Sequence, residues 1–389
     1  MMGLPHTRKG VIMQSIIYVG MDVHTENFTF ASYEFGKGDV FAVDQVIGAT
    51  WKDAIKYMKT LQKQRPEEDI HFVCGYEAGC FGYSLYNELM AAATDEKNLS
   101  LQCVIMAPST MAIQGNRKKT DRRDARMIAT NLAHGTYSSV YVVSKEDNGV
   151  RDYIRMRDDT KKKIRSTKQQ INALCLRHGK NYTANKWTVK HYDWLHKVVL
   201  EDMYSNITLR EYLHQLSQLE ENLVRYDKEI EEIATRDRYA KAVEKLCCLK
   251  GINTITALSL VTEIGDFNRF SSADKFAAFL GLVPGEYSSG GSINRTGITK
   301  HGNTYLRRLI TESAQGYSKG TPYTKSWRLK ARQSGQEKEI VDYCDRARIY
   351  LGKKYFRLKQ NGKNGNVCKT AVARGLACFV WGLMTDNIS

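Results

Sequence analysis

The chain has 389 residues, 42% of them hydrophobic and 26% charged, which allows two or three folded domains and excludes a disordered chain. Its net charge of +16 and pI near 9.3 suit a polyanionic partner, with RNA or DNA foremost. No apolar run reaches the roughly eighteen residues of a membrane span, and the nine scattered cysteines lack metal-ligand spacing, so reduced, buried thiols in a cytoplasmic compartment are expected.

Residues 1–14 carry no apolar signal-peptide core and read as a loose extension. The apolar run 16–23 predicts a buried strand. A polar bend follows, then strands over 28–33 and 40–47, together a three-strand antiparallel meander. A helix is predicted over 51–62, a strand over 71–77, a helix over 83–93, a strand over 101–107 and a helix over 121–133. Three hairpin-linked strands followed by alternating strands and helices is the order of an RNase H-like (RuvC-like) α/β domain, assigned to residues 1–147. No glycine-rich nucleotide fingerprint follows any strand, which counts against Rossmann and P-loop readings.

Residues 148–245 are polar, basic and helical in period, with a basic run from Lys161 to Arg165. Leu209, Leu213, Leu216, Leu219, Leu223, Tyr226, Ile230 and Ile233 are spaced by threes and fours as a coiled-coil-like seam, open to a subunit contact or to packing within the chain. Residues 246–389 form a third, mainly helical region. Its start, Leu249 to Ala257, reads as a helix-hairpin-helix turn that can aim backbone amides at a phosphate. Asn253 stands where a second glycine is usual and is expected to tolerate a left-handed backbone.

Four carboxylates carry the chemistry. Asp22 ends the first strand, Glu77 ends the fourth, and Asp121 and Asp124 open the helix behind a Thr120 cap, projecting from one helix face. Ala125, Ile128 and Leu132 continue that face as a buried stripe. Acidic groups converging at strand ends and a helix start make a hard-oxygen site for Mg²⁺, and two such ions can clamp a phosphodiester during in-line displacement. Arg117, Lys118, Lys119, Arg122 and Arg123 lie around the helix start, where cations suit a phosphate backbone. Further on, Ser288 and Ser289 precede Gly290 and Gly291. Such a stretch is commonly a turn, but Arg295, Lys300, His301, Arg307 and Arg308 follow closely. A serine among cations can attack a phosphodiester and form a phosphoserine.

The order Gly20-Met21-Asp22, Tyr76-Glu77-Ala78 and Lys119-Thr120-Asp121-Arg122-Arg123-Asp124-Ala125-Arg126 resembles the DEDD transposases of insertion sequences. So do Phe276 to Pro284, Tyr287-Ser288-Ser289-Gly290, Gly302 to Arg308 and Asn361 to Gly365. The resemblance covers most of the chain and implies a RuvC-like domain and a C-terminal transposase domain. It implies an RNA-guided DNA recombinase: a bridge RNA pairs with donor and target DNA, so base pairing supplies sequence choice. It places the four acids on Asp22, Glu77, Asp121 and Asp124, and the nucleophile on Ser289, with Ser288 its neighbouring competitor. It also implies a homo-oligomer, dimer or tetramer, in which one subunit's acidic site meets another's serine domain, working near the bacterial nucleoid and away from membranes. Two rival readings are a RuvC-like nuclease or junction resolvase with no covalent intermediate, and a non-catalytic nucleic-acid scaffold.

Overall fold

Five apolar strands between residues 15 and 106 pair into one mixed sheet of order β3-β2-β1-β4-β5. The computed structural model describes residues 15–37, 40–47, 49–79, 81–95, 99–111, 120–289 and 292–388. It divides the chain into two compact units at 142/143.

In the first unit, β1 (Ser15–Val23), β2 (Asn27–Tyr33) and β3 (Val40–Ile47) form the expected antiparallel meander. β4 (Ile70–Glu77) and β5 (Ser100–Met106) then add in parallel on the other side of β1. Parallel pairing needs a crossover. Helix α1 (Trp51–Lys63) lies between β3 and β4, and α2 (Ser84–Asp95) between β4 and β5. Side chains alternate along a strand. Ile17, Val19, Met21, Phe72, Cys74 and Tyr76 therefore share one face and pack with α1 and α2 residues such as Met58 and Leu89. The opposite face receives α3 (Asp121–His134), whose Ala125, Ile128, Ala129 and Leu132 are buried. Each of the eight predicted elements falls within two residues of the observed one at either end.

The second unit opens with α4 (Lys145–Arg177), α5 (Val189–Lys197) and α6 (Met203–Ala234). Ser144 and Asp202 cap α4 and α6 by accepting from Asp147 N at 3.0 Å and Ser205 N at 2.9 Å. Five of the eight seam residues are buried by packing within the chain, while Leu219, Leu223 and Tyr226 are half-buried. Leu209, Leu213 and Leu216 pack with Ile164, Ile171 and Leu174 of α4, and Ile230 and Ile233 join Val150 and Ile154 in a separate core. That second core continues through α7 (Ala240–Cys247), α8 (Thr254–Ile264) and α9 (Ala273–Phe279). A hairpin of β6 (Pro284–Ser289) and β7 (Ser292–Ile298) interrupts the helices. Then come α10 (Thr304–Ala314), α11 (Trp327–Gln333), α12 (Lys338–Gln360) and α13 (Gly365–Met384).

Helix α13 is long and apolar enough to cross a membrane by composition, although no uninterrupted apolar run of that length stands in the sequence. It buries Val372, Leu376, Val380 and Leu383 in the core beside Phe276 and Leu306. Of the cysteines, Cys74, Cys103, Cys175, Cys247, Cys248, Cys344 and Cys368 are buried and unbridged, as small apolar side chains.

Candidate active site

The site is assembled by register. β1 and β4 run parallel with Met21 beside Tyr76, so the next residue on each strand, Asp22 and Glu77, leaves the sheet at the same edge and on the same face. That face also carries Gly20 and Gly75, and it is the one α3 covers. A β-carbon on Gly20 would stand 2.2 Å from the Ala125 carbonyl oxygen and 2.3 Å from the Ala129 nitrogen. The missing side chain thus lets α3 lie against the strand backbone. One turn earlier on α3 comes Asp121, which the close crossing delivers beside Asp22.

The group that results includes a residue the sequence reading passed over. His24 Nε2 lies 3.3 Å from Asp22 Oδ2 and 3.9 Å from Asp121 Oδ1. Ligand atoms of Asp22, His24 and Asp121 all fall within 4.8 Å of one another. His24 sits in the bend between β1 and β2, where its backbone nitrogen donates to Asn27 O at 3.0 Å. A histidine in a polar bend looks like a solvated loop residue. Its position two residues past a strand-end acid was the available signal.

Asp22 is the buried member, its side chain 14% exposed against 55% for His24. Its Oδ2 is buried, and the His24 imidazole stands against it. Burial pushes the Asp22 carboxyl above its ordinary range; His24 pulls it down, while the charges of Asp124 and then Asp121 push it up. A buried carboxylate repelled by Asp124 and Asp121 and standing beside an imidazole is a donor set that fits a divalent cation. Among the described residues Glu77 and Asp124 stand outside the tight three-residue group, although Asp124 is near enough for its charge to act on Asp22.

Thr120 occupies the N-cap position of α3 with an extended backbone, but its side chain makes no capping bond; its carbonyl accepts from Arg123 N and Asp124 N. The first turn relies instead on its two acids facing the positive end of the helix dipole. Arg122 and Arg123 are exposed on that turn. Arg117, Lys118 and Lys119 lie outside the described residues.

In the second unit, Ser289 pairs with Ser292 and Ser288 with Ile293 across the β6–β7 hairpin. The side chains of Ser288, Ser289 and Arg295 lie outside the described structure, as do Gly290 and Gly291. Lys300 is exposed, with a left-handed backbone at φ 57°. The two arginines of α10 are held by protein acceptors. Arg307 donates to Leu280 O at 3.0 Å and Thr304 Oγ1 at 3.0 Å, and Arg308 pairs with Asp158 and Glu312.

The turn between α7 and α8 forms, but not as expected at Asn253. That residue is extended, with φ −109°, and caps α8 by accepting from Thr256 N at 2.9 Å. The left-handed position is Gly251, φ 91°, where a β-carbon would stand 2.2 Å from Ser313 O. At the other end of α8, Glu263 is 2% exposed at its side chain and receives Arg151 at 3.3 Å, Arg155 at 2.7 Å and Asn303 at 3.3 Å.

Comparison with known proteins bears on both units. A family model for DEDD transposases of the IS110 type matches residues 19–178, and one described as the IS116/IS110/IS902 transposase family matches residues 243–326. The chain is 32% identical over 378 residues to a putative transposase, y4qE, of Sinorhizobium fredii, covering 95% of this chain and 88% of that protein. It is 30% identical over 364 residues to the transposase of insertion sequence element IS1533 of Leptospira borgpetersenii, covering 90% and 99%. It is 26% identical over 236 residues to the transposase of IS1111A of Coxiella burnetii, covering 58% and 63%.

Proposed function

This chain belongs to the IS116/IS110/IS902 family of insertion-sequence transposases, enzymes of DNA strand transfer, and from that premise we propose an RNA-guided recombinase acting through a phosphoserine. The first unit is then an RNase H-like domain and the second holds the transposase hairpin. DEDD transposases work with divalent metal ions. Asp22, Glu77, Asp121 and Asp124 are the residues proposed to hold Mg²⁺, two ions per site. The observation that supports the metal site is the buried Asp22 carboxylate gathered with His24 and Asp121, their ligand atoms within 4.8 Å of one another, where the Gly20–Ala125 crossing brings α3 against β1.

Bound cations would supply charge neutralisation at the scissile phosphate and at its attacking and leaving oxygens. The chain's own residues do the rest. Ser289 attacks phosphorus through Oγ and gives up its hydroxyl proton. The bond from phosphorus to the departing strand's oxygen breaks, and that oxygen takes a proton as a free hydroxyl. The phosphoserine ester conserves the bond, so a hydroxyl from a second strand can displace Ser289 and rejoin DNA without ATP. Arg117, Lys118, Lys119, Arg122, Arg123, Arg295 and Lys300 hold backbone phosphates, while a guide RNA selects donor and target by pairing. Homo-oligomerisation and a place beside the nucleoid complete the proposal.

The test is capture of the adduct. The full chain is reacted with labelled donor and target DNA and guide RNA, denatured, and examined for label that stays with protein until protease is added. Ser289→Ala should abolish both adduct and recombinant product, whereas Ser288→Ala keeps a measurable share. Adduct surviving in Ser289→Ala and lost in Ser288→Ala moves the nucleophile by one residue. No adduct in any form, with free DNA ends produced, makes the protein a hydrolytic nuclease.

A further inference from the structure

We propose that His24 is a nitrogen ligand of the ion held by Asp22 and Asp121, and that it tilts the site toward Mn²⁺ over Mg²⁺. The inference rests on reading the acidic group as a divalent-ion site and specifies which ion that site prefers. Two ligand atoms bound to one ion at about 2.1–2.2 Å stand roughly 3.0 Å apart when adjacent and roughly 4.3 Å apart when opposite. The His24 Nε2 separations of 3.3 Å from Asp22 Oδ2 and 3.9 Å from Asp121 Oδ1 lie inside that interval.

The imidazole approaches two carboxylates rather than one, and ligand atoms of all three residues lie within 4.8 Å of one another. A nitrogen standing beside both carboxylates is placed as a third ligand to a common point would be. The backbone holds it there, through the Val23–Phe28 pair and the His24 N to Asn27 O bond that close the β1–β2 bend.

Donor chemistry gives the selectivity. Mg²⁺ binds oxygen and keeps its waters, whereas imidazole suits the later first-row ions; Mn²⁺ accepts both donor types. With four carboxylates alone the site would discriminate weakly between Mg²⁺ and Mn²⁺. One nitrogen among the oxygens favours Mn²⁺.

The experiment measures binding rather than catalysis. Mn²⁺ is titrated into the full-length protein and followed by its paramagnetic resonance signal, and Mg²⁺ affinity is read by competition, for wild type, His24→Ala and Asp22→Asn. His24→Ala should weaken Mn²⁺ by about tenfold or more, the lower end of what loss of even an outer partner of a ligand costs, and Mg²⁺ by less than about threefold. In the wild type, low Mn²⁺ should broaden the His24 imidazole resonances before those of His71 or His134. Equal loss of both ions in His24→Ala, no loss of either, or an unbroadened His24 would overturn the assignment while leaving the carboxylate site standing. Wild-type protein that binds neither ion, or Asp22→Asn that binds both as well as wild type, removes the metal site itself and the His24 assignment with it.

Discussion

The α-carbon of Gly20 lies so close beneath Ala125 that a β-carbon there would come within 2.2 Å of the Ala125 carbonyl oxygen. The obstacle is backbone, which cannot rotate aside as a side-chain tip can. Gly20→Ala should therefore push α3 off the sheet and cost about 3 kcal/mol, measured as a lower denaturant midpoint. Activity should fall further than stability does, because Asp121 rides on the displaced helix. A variant as stable as wild type would mean that α3 does not cross β1 this closely.

Replacing Asp22 by Asn should abolish strand cleavage yet raise the melting temperature of metal-free protein at pH 7. Burial, with Asp124 and Asp121 behind it, lifts the folded carboxyl above its ordinary value of 3.8. Between the unfolded and folded values the folded state binds more protons, so stability falls as pH rises through that window. The wild type carries the whole cost at neutral pH, and Asn carries none. The difference between the two melting curves should close as pH drops to about 4 and below. A variant less stable at pH 7 would refute the sign.

Glu263→Ala should be among the costlier single changes in the second unit. It removes the carboxylate that Arg151, 12% exposed at its side chain, meets at 3.3 Å, and Arg155 loses contacts at 3.0 and 2.7 Å. Removing one partner from a buried ion pair costs about 3–5 kcal/mol. Chemical denaturation reads the loss directly. A change under about 1 kcal/mol would place the network on a par with surface pairs.

Nucleic-acid binding should weaken steeply with salt, by about a thousandfold between roughly 50 and 200 mM if six or more phosphates are engaged. Arg122→Ala, on the exposed side of the α3 first turn, should reduce the slope of log affinity against log salt by about 1. A flat response in the wild type would remove the electrostatic argument for the basic chain.

The first unit was legible because its strands alternate cleanly and its acids fall at strand and helix ends. Asp22, Glu77 and Asp121 could be placed by element order alone. His24 was passed over because a histidine in a polar bend has the composition of a solvated loop, and only its place two residues after Asp22 hinted that it would share the convergence of β1 and α3. Thr120 and Asn253 were each assigned a role by residue type. Thr120 turned out to use its carbonyl rather than its hydroxyl, and Asn253 to cap with its side chain in an extended backbone. The leucine seam on α6 was visible as periodicity, but period alone does not name the partner surface, which here is α4. Arg307 and Arg308 looked like free cations until the helix placed them against Leu280 O and Asp158.

Helices α4 and α6 belong to two apolar cores at once, one around Ile154 and Ile233 and the other around Leu174 and Leu209. Twenty residues of α4 separate Ile154 from Leu174, a rise of about 30 Å. A pair of rods pinned at both ends resists bending and slippage, and yields most easily by turning as one piece about its anchorage. Glu263, gripping Arg151 and Arg155 from α8, fastens the near end of α4 to the larger core, so the two-rod brace is anchored by charge as well as by apolar packing.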